Sequence, residues 1–238
     1  MLIIPLLDCC FVIIMDRVKV VKYDVDYFTG LKENSCNIEY LLYNYLMSIM
    51  WFLSWIWVFP LFKVLTGISI RGKVPKKGAY IIACNHVSFL DPPIVGICAG
   101  REIHFLAKIG LFETSKIFAR LIRAYNAIPI SGIQGLRTAM KLLKKGEAVV
   151  IFPEGTRSRK GHMLPFNPGV SYLALHLRVP VIPTFITNSN KRFAALMLRL
   201  NTLRITFGEP VSPEGYSGSR TDMVRFADRL QEEVMKLR

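Results

Sequence analysis

The sequence is poor in cysteine and in acidic residues, and it contains no internal repeat. Five of its 238 residues are cysteine and none form a Cys-x-x-Cys pair, so neither a zinc knuckle nor a disulfide scaffold is encoded. The 13 prolines and 16 glycines are ordinary numbers, which excludes collagen-like and low-complexity chains. Hydrophobic residues make up 52% and charged residues only 20%, so the chain as a whole is not intrinsically disordered.

The shortage of acidic residues is uneven along the chain. The 17 Asp and Glu stand against 31 Lys and Arg, a formal net charge of +14. Residues 1–70 carry five basic and six acidic residues, whereas residues 71–238 carry 26 and 11, which gives net charges of −1 and +15. A basic body of this kind fits nucleic acid, an anionic membrane surface or phosphorylated substrates, and a merely solvated basic face is the alternative.

Residues 40–62 lack any formal charge. An apolar helix of about 20 residues can cross a bilayer, but Trp51, Trp55 and Trp57 lie within this run, and Trp prefers the membrane interface to its centre. We therefore favour helices that dip into one leaflet over a spanning helix, with a helix buried in a soluble core as the third possibility. Residues 2–15 are also apolar, but no basic segment precedes them and no small-residue cleavage site follows, so we do not expect a secretory signal peptide.

Beyond residue 70, short apolar runs alternate with segments of helical period, which indicates an α/β body. We expect a mixed, largely buried sheet with flanking helices, preceded by the apolar membrane-anchoring helical segment. Strands are predicted at 79–84, 127–130, 148–152, 181–186 and 203–207. Helices are predicted after Thr114, between Ile133 and Gly146, near 169–177, and from Ser219, which forms a capping box with Asp222.

The loop after the first of these strands reads NHVSFLD and holds a histidine and an aspartate five residues apart, His86 and Asp91. If a helix begins there, the two side chains can meet, and the aspartate then fixes the tautomer of the imidazole and raises its basicity. Such a pair can take a proton from an alcohol. The alternative is a capped turn started by Asp91 and the prolines that follow it. Cys84, two residues earlier, lies in the apolar strand, where a thiol is usually inert.

A second loop follows the strand at 148–152 and reads FPEGTRS. Gly155 lets backbone N–H groups approach an anion, and the planar fork of Arg157 matches a phosphate. Thr156 and Ser158 add hydroxyl groups. Glu154 would repel a phosphate unless it orients Arg157 or a substrate hydroxyl, and a plain solvated basic turn would leave it unexplained.

Together, NHVSFLD and FPEGTRS resemble the two signature blocks of the glycerolipid acyltransferases, in particular the bacterial 1-acyl-glycerol-3-phosphate type. The resemblance runs from about residue 47 to the C-terminus. It implies His86 as general base and Asp91 as the residue that orients it. The phosphate-binding residues that it implies are Glu154, Gly155, Thr156, Arg157 and Lys108, and the supporting residues are Asn85, Ser88 and Ser158. Two positions depart from the family pattern, because Gly132 stands where an arginine is usual and Asn167 where a lysine is common.

The resemblance therefore implies transfer of a fatty acyl group from acyl-CoA or acyl carrier protein to lysophosphatidate, giving phosphatidate, without metal or other cofactor. The expected partners are a membrane bilayer and these substrates rather than nucleic acid, at the cytoplasmic face of the cell membrane. We expect an unassigned extension at 1–39, the anchoring segment at 40–66 and the catalytic domain at 67–238. The alternatives are another lysophospholipid or a hydroxylated amino-lipid as acceptor, or a non-catalytic protein that binds anionic lipid.

Overall fold

The computed structural model of the protein describes residues 51–130, 133–158, 162–191 and 202–238, together with Tyr45 and Ile49. Residues 54–238 form one compact unit. The predicted extension at 1–39 and most of the first half of the predicted anchoring segment lie outside the described residues.

Within the described residues, seven strands form one sheet in the order β1-β7-β6-β2-β5-β3-β4. The strands are β1 (Ser69–Arg71), β2 (Tyr80–Cys84), β3 (His104–Lys108), β4 (Ala127–Ile130), β5 (Ala148–Ile151), β6 (Val181–Thr187) and β7 (Arg204–Phe207). Strands β2 to β6 are parallel, while β7 pairs antiparallel with β6 and parallel with β1. The expected mixed sheet is therefore confirmed.

The centre of the sheet is the core of the unit. Every residue of β2 is buried, as are three of the four residues of β5. Parallel strands that are covered on both faces are apolar throughout, and this is why these two runs lack polar alternation.

A π-helical turn (Ser54–Val58) and seven α-helices accompany the sheet in the described residues. The helices are α1 (Phe59–Thr66), α2 (Asp91–Ala99), α3 (Gly110–Glu113), α4 (Lys116–Ala124), α5 (Ile133–Lys144), α6 (Gly169–Leu177) and α7 (Arg220–Lys236). Helix α7 packs on β6 and α6 through Phe226, Ala227, Leu230 and Val234. Its N-cap is the predicted one, since the Ser219 side chain accepts a hydrogen bond from the Asp222 backbone N–H at 3.2 Å.

The predicted strands and helices of the body are present within one or two residues at each end. Strands β1 and β3 were not predicted. Strand β1 has only three residues, and β3 carries the polar residues His104 and Lys108 at its ends, so neither gives a clear apolar run. Helix α4 begins after Ser115 rather than after Thr114.

The π-helical turn and α1 make up most of the described part of the predicted anchoring segment. Ile56, Trp57, Leu61 and Val64 are exposed there, and Trp57 is 71% exposed. None of the helices in the described ranges has the length and apolar character needed to cross a bilayer.

Candidate active site

Both signature loops leave the same edge of the sheet. Strands β2 and β5 are parallel neighbours, with Ala83 level with Ile151, so the residues that follow their carboxyl ends lie side by side. Open α/β sheets place their ligands at this edge. Strand β3 is the other neighbour of β5 and ends at the exposed Lys108 on the same edge. The fold thus brings the predicted residues of three separate segments to one region.

The histidine and aspartate of the first loop are hydrogen bonded. His86 Nδ1 lies 2.8 Å from Asp91 Oδ2, and the carboxylate is fully buried while the imidazole is 18% exposed. Because Asp91 is the first residue of α2, its negative charge also lies at the positive end of a helix dipole. With the Nδ1 proton directed at Asp91, Nε2 keeps its lone pair, which is the state that a general base requires.

Two further kinds of contact fix the geometry of this loop. The backbone N–H groups of Val87 and Ser88 each donate to Asp91 Oδ2 at 2.7 Å, so one oxygen accepts three hydrogen bonds. The imidazole stacks on the Phe152 ring with centroids 4.2 Å apart. Neither contact was predicted, although Phe152 stands in the second signature block.

Glu154 links the two loops. Its Oε1 accepts the His86 backbone N–H at 2.7 Å and its Oε2 accepts the Leu164 N–H at 2.9 Å. The side chain is 5% exposed, and burial is the main reason that its pKa lies above the usual value. Both oxygens are thus occupied by the protein's own backbone, and the carboxylate holds the loop that carries the histidine.

The other end of the second loop is tied to the same histidine. The Ser158 backbone N–H donates to the His86 carbonyl oxygen at 2.8 Å, and its hydroxyl donates to the His162 carbonyl oxygen. Gly155 has φ +68°, a left-handed conformation that favours glycine. A Cβ at this position would also lie 3.0 Å from Asn167 Nδ2.

Asn167 and Asn85 hold the backbone of the two loops and of the neighbouring strand through side-chain hydrogen bonds. The amide of Asn167 donates to the Pro153 carbonyl oxygen at 2.9 Å, so this asparagine acts on the backbone of the second loop. Asn85 is buried and exchanges two hydrogen bonds with the Ile186 backbone at 2.7 and 3.0 Å, which joins the end of β2 to β6. Burial raises the pKa of Cys84 well above its usual value, so its thiol stays protonated and is a poor nucleophile.

Arg157 lies over the ring of Phe89, with its guanidinium carbon 3.5 Å from the ring centroid. Sequence reasoning gave no role to Phe89, and the aromatic residue inside the first block was the available signal. Phe89 is 62% exposed, and a cation over an aromatic face at an exposed site is worth about 0.5–1 kcal/mol. The ring therefore holds the guanidinium between the two loops without neutralising its charge.

We expect Arg157→Lys to raise the apparent KM for the phosphorylated acceptor, because Lys keeps the charge and loses the planar fork. Phe89→Leu should raise the same KM by roughly two- to fivefold, the equivalent of the stacking energy, whereas Phe89→Tyr should keep the wild-type value. Steady-state kinetics of the wild type, the single variants Arg157→Lys and Phe89→Leu, and their double variant form a double-mutant cycle that checks this. Two results would contradict a joint role of Arg157 and Phe89 in binding the acceptor. One is strict additivity of the effects of Phe89→Leu and Arg157→Lys, and the other is a change confined to the KM of the acyl donor.

Comparison with known proteins places this site in context. Residues 67–187, half of the chain, match the family model described as Acyltransferase. Among similar curated proteins, each named 1-acyl-sn-glycerol-3-phosphate acyltransferase, that of Bacillus subtilis is 24% identical over 180 residues, covering 72% of this chain and 88% of the relative. The human alpha form is 30% identical over 187 residues, with coverages of 71% and 62%. That of Cocos nucifera is 30% identical over 161 residues, with coverages of 65% and 50%.

A solved structure has a similar fold. The crystal structure of the 1-acyl-sn-glycerophosphate (LPA) acyltransferase PlsC from Thermotoga maritima has a TM-score of 0.59, is 24% identical and covers 82% of this chain and 88% of that chain. In length, the present chain spans about half of the Cocos nucifera relative and most of the Bacillus subtilis one.

Proposed function

Because the chain belongs to the acyltransferase family, we propose that it transfers a fatty acyl group from an acyl thioester to the free hydroxyl of 1-acyl-glycerol-3-phosphate, giving phosphatidate. The observation that carries this proposal is the 2.8 Å hydrogen bond between His86 Nδ1 and the buried carboxylate of Asp91. A protein that only binds lipid has no need of an oriented base, which argues against the non-catalytic alternative.

The proposed reaction is a direct transfer. His86 Nε2 removes the proton of the acceptor hydroxyl as its oxygen attacks the thioester carbonyl, and the resulting tetrahedral oxyanion collapses with release of the thiolate. The imidazolium then returns the proton to the thiolate, so the products are an ester and a free thiol. No metal or covalent enzyme intermediate takes part, and the donor is acyl-CoA or acyl carrier protein.

Arg157, the Gly155 and Thr156 backbone, and Lys108 are the residues that we propose for binding the glycerol phosphate. All lie at the edge of the sheet where the histidine is held. We assign Glu154 a different role from the one that the resemblance implies, because both of its oxygens accept backbone hydrogen bonds and a buried carboxylate repels phosphate. In our proposal it positions His86.

A second candidate competes with lysophosphatidate as the acceptor of the acyl group. Asn167 stands where a lysine is common in the family and uses its amide on the loop backbone, so it brings no charge to a phosphate. This favours, as a second candidate, an acceptor with less negative charge, such as another lysophospholipid or a hydroxylated amino-lipid.

Mass spectrometry of the products separates these candidates. The purified enzyme is given lysophosphatidate, other lysophospholipids and a hydroxylated amino-lipid, each with acyl-CoA and with acyl carrier protein as donor. We expect phosphatidate as the main product. Acylation of a different acceptor in preference to lysophosphatidate would support the second candidate, and no acylation of any acceptor would support a binding protein.

We further propose that residues 40–66 anchor the enzyme at the cytoplasmic face of the cell membrane. The support is the uncharged run at 40–62 and the exposure of Trp57, Leu61 and Val64 in its described part. Apolar anchoring is insensitive to salt, whereas charge attraction is screened within about 3 Å at 1 M salt. We therefore expect the full chain to stay with sedimented anionic vesicles at high salt, and release into the supernatant would contradict the anchor.

A further inference from the structure

Helix α4 shows an unusual distribution of its apolar residues. Ile117 is 80% exposed, Leu121 48% and Phe118 38%, while Ala119 is buried. At 100° per residue, the three exposed side chains lie within one arc of the helix. The helix turns this arc toward solvent. A contiguous exposed apolar face of this kind marks a surface that contacts a membrane or another molecule.

The flank of the helix next to this arc is basic. Lys116 and Arg120 are exposed, and Arg123 is half-buried with its guanidinium over the Phe112 ring at 5.0 Å. The sequence from Thr114 onward has one sign of charge, since residues 114–146 contain seven Lys or Arg and no Asp or Glu, and the exposed Glu113 precedes them. An exposed apolar arc beside basic residues is the pattern of a helix that lies in the interface of an anionic bilayer.

The exposed apolar residues of the compact unit are not scattered. Among the described residues from 54 onward, the large ones lie in the helical segment 54–66, in the first signature loop, and at 109–121, with Val224 and Met235 of α7 as the exceptions. The first of these regions contacts the C-terminal end of α4, because Ser54 Oγ lies 2.7 Å from the hydroxyl of Tyr125, the residue that follows α4. The helical segment 54–66 and the end of α4 thus adjoin.

This placement also relates α4 to the active site. The chain reaches α4 from Lys108, at the carboxyl end of β3, through the short helix α3. Exposed Ile109 follows Lys108, and exposed Phe89 and Leu90 belong to the loop of His86 at the same edge of the sheet. A bilayer that contacts α4 would therefore lie near the entrance to the site.

We infer that the apolar arc Ile117, Phe118 and Leu121, with Lys116 and Arg120 beside it, is a second membrane-contact surface that inserts into the interface of an anionic leaflet. The inference deepens the proposed function and rests on it for the lipid nature of the acceptor. A bilayer is favoured over a protein partner because the exposed charged residues of α4, Lys116 and Arg120, have a single sign and the 33 residues 114–146 contain no acidic residue, which matches a uniformly anionic surface. Its role is to hold the site edge against the leaflet that contains the acceptor.

Vesicle partition of the full-length chain tests the surface without any acyl donor, so the result does not depend on catalysis. The vesicles contain equal parts of phosphatidylcholine and phosphatidylglycerol. We expect the double variant Ile117→Ser with Leu121→Ser to lower the partition constant roughly ten- to a hundredfold, from the burial of two partly exposed aliphatic side chains. The free energies of separate membrane contacts add, so their contributions multiply in the partition constant. The proposed anchor at residues 40–66 therefore does not mask this loss. The matched control is Val224→Ser with Met235→Ser on α7, which should change the constant by less than about twofold.

The same vesicles test two further points, the role of the basic residues Lys116 and Arg120 and the protection of the apolar arc by the membrane. Lys116→Gln with Arg120→Gln should weaken binding to the anionic vesicles and leave binding to pure phosphatidylcholine vesicles unchanged, whereas Arg229→Gln on α7 should alter neither.

Hydroxyl-radical footprinting should oxidise Ile117 and Leu121 in the free chain and show protection on vesicles. Partition of the Ile117 and Leu121 double variant equal to that of the wild type would overturn the inference, as would protection of these residues without vesicles, since another part of the chain or a second copy then covers the arc. Absence of acyl transfer by a wild-type chain that binds as expected would instead refute the proposed function alone.

Discussion

Replacing His86 with alanine should remove acyl transfer and leave the fold intact. The imidazole is held by Asp91 at 2.8 Å and by the Phe152 ring, so its Nε2 is presented in one tautomer and one orientation. Loss of a positioned general base typically lowers the rate by roughly 10²–10⁴. We expect kcat to fall by that factor, with vesicle binding and thermal unfolding close to those of the wild type.

Asp91→Asn is the second variant to test, and its effect on kcat should be smaller than that of His86→Ala. The amide keeps the volume of the carboxylate but loses the charge that stabilises the imidazolium, so we expect a smaller yet severe loss of kcat. It also weakens the acceptor of the Val87 and Ser88 N–H groups, so thermal unfolding should be measured beside the kinetics. Near wild-type turnover of the folded His86→Ala variant would show that another group is the base.

The second large effect is expected at Glu154. Glu154→Gln replaces one carboxylate oxygen with an amide NH₂, so one of the two N–H groups of His86 and Leu164 meets a donor instead of an acceptor. Leaving a buried donor unpaired costs about 1–3 kcal/mol. Glu154 ties the loop of His86 to the segment of Leu164, so loss of either hydrogen bond displaces His86. We therefore expect kcat to fall on the order of ten- to a hundredfold.

The kinetic pattern separates positioning from phosphate binding. Positioning predicts that kcat falls while the apparent KM for lysophosphatidate changes by less than about threefold. A large rise of that KM at unchanged kcat would instead return Glu154 to the phosphate site. Glu214→Gln on the exposed surface is the matched control and should alter neither parameter.

The sequence was sufficient for those parts of the fold that depend on local patterns. Strands β2 and β5 are unbroken apolar runs, and the Ser219 cap is a local side-chain pattern, so both were predictable. The antiparallel pairing of β7 with β6 was not, because the direction of a strand is set by the path of the chain between strands rather than by its residues.

Within the site, residue types were predictable and partners were not. The spacing of His86 and Asp91 allowed their contact to be foreseen, since both lie in one loop and the start of one helix. Glu154 bonds a backbone group 68 residues away, and such a contact depends on β2 and β5 being neighbours. Helix α4 shows the same limit, because its period predicts a helix but not whether its apolar arc faces the sheet or solvent.

The central claim is that His86 activates the hydroxyl of lysophosphatidate for direct attack on an acyl thioester. A single-turnover reaction followed by mass spectrometry, with thiol release measured in the same samples, tests it most directly. The account predicts one phosphatidate formed for each thiol released, no thiol release when lysophosphatidate is omitted, and loss of both products in His86→Ala. Stoichiometric thiol release without the acceptor, or phosphatidate formed at the wild-type rate by His86→Ala, would contradict it.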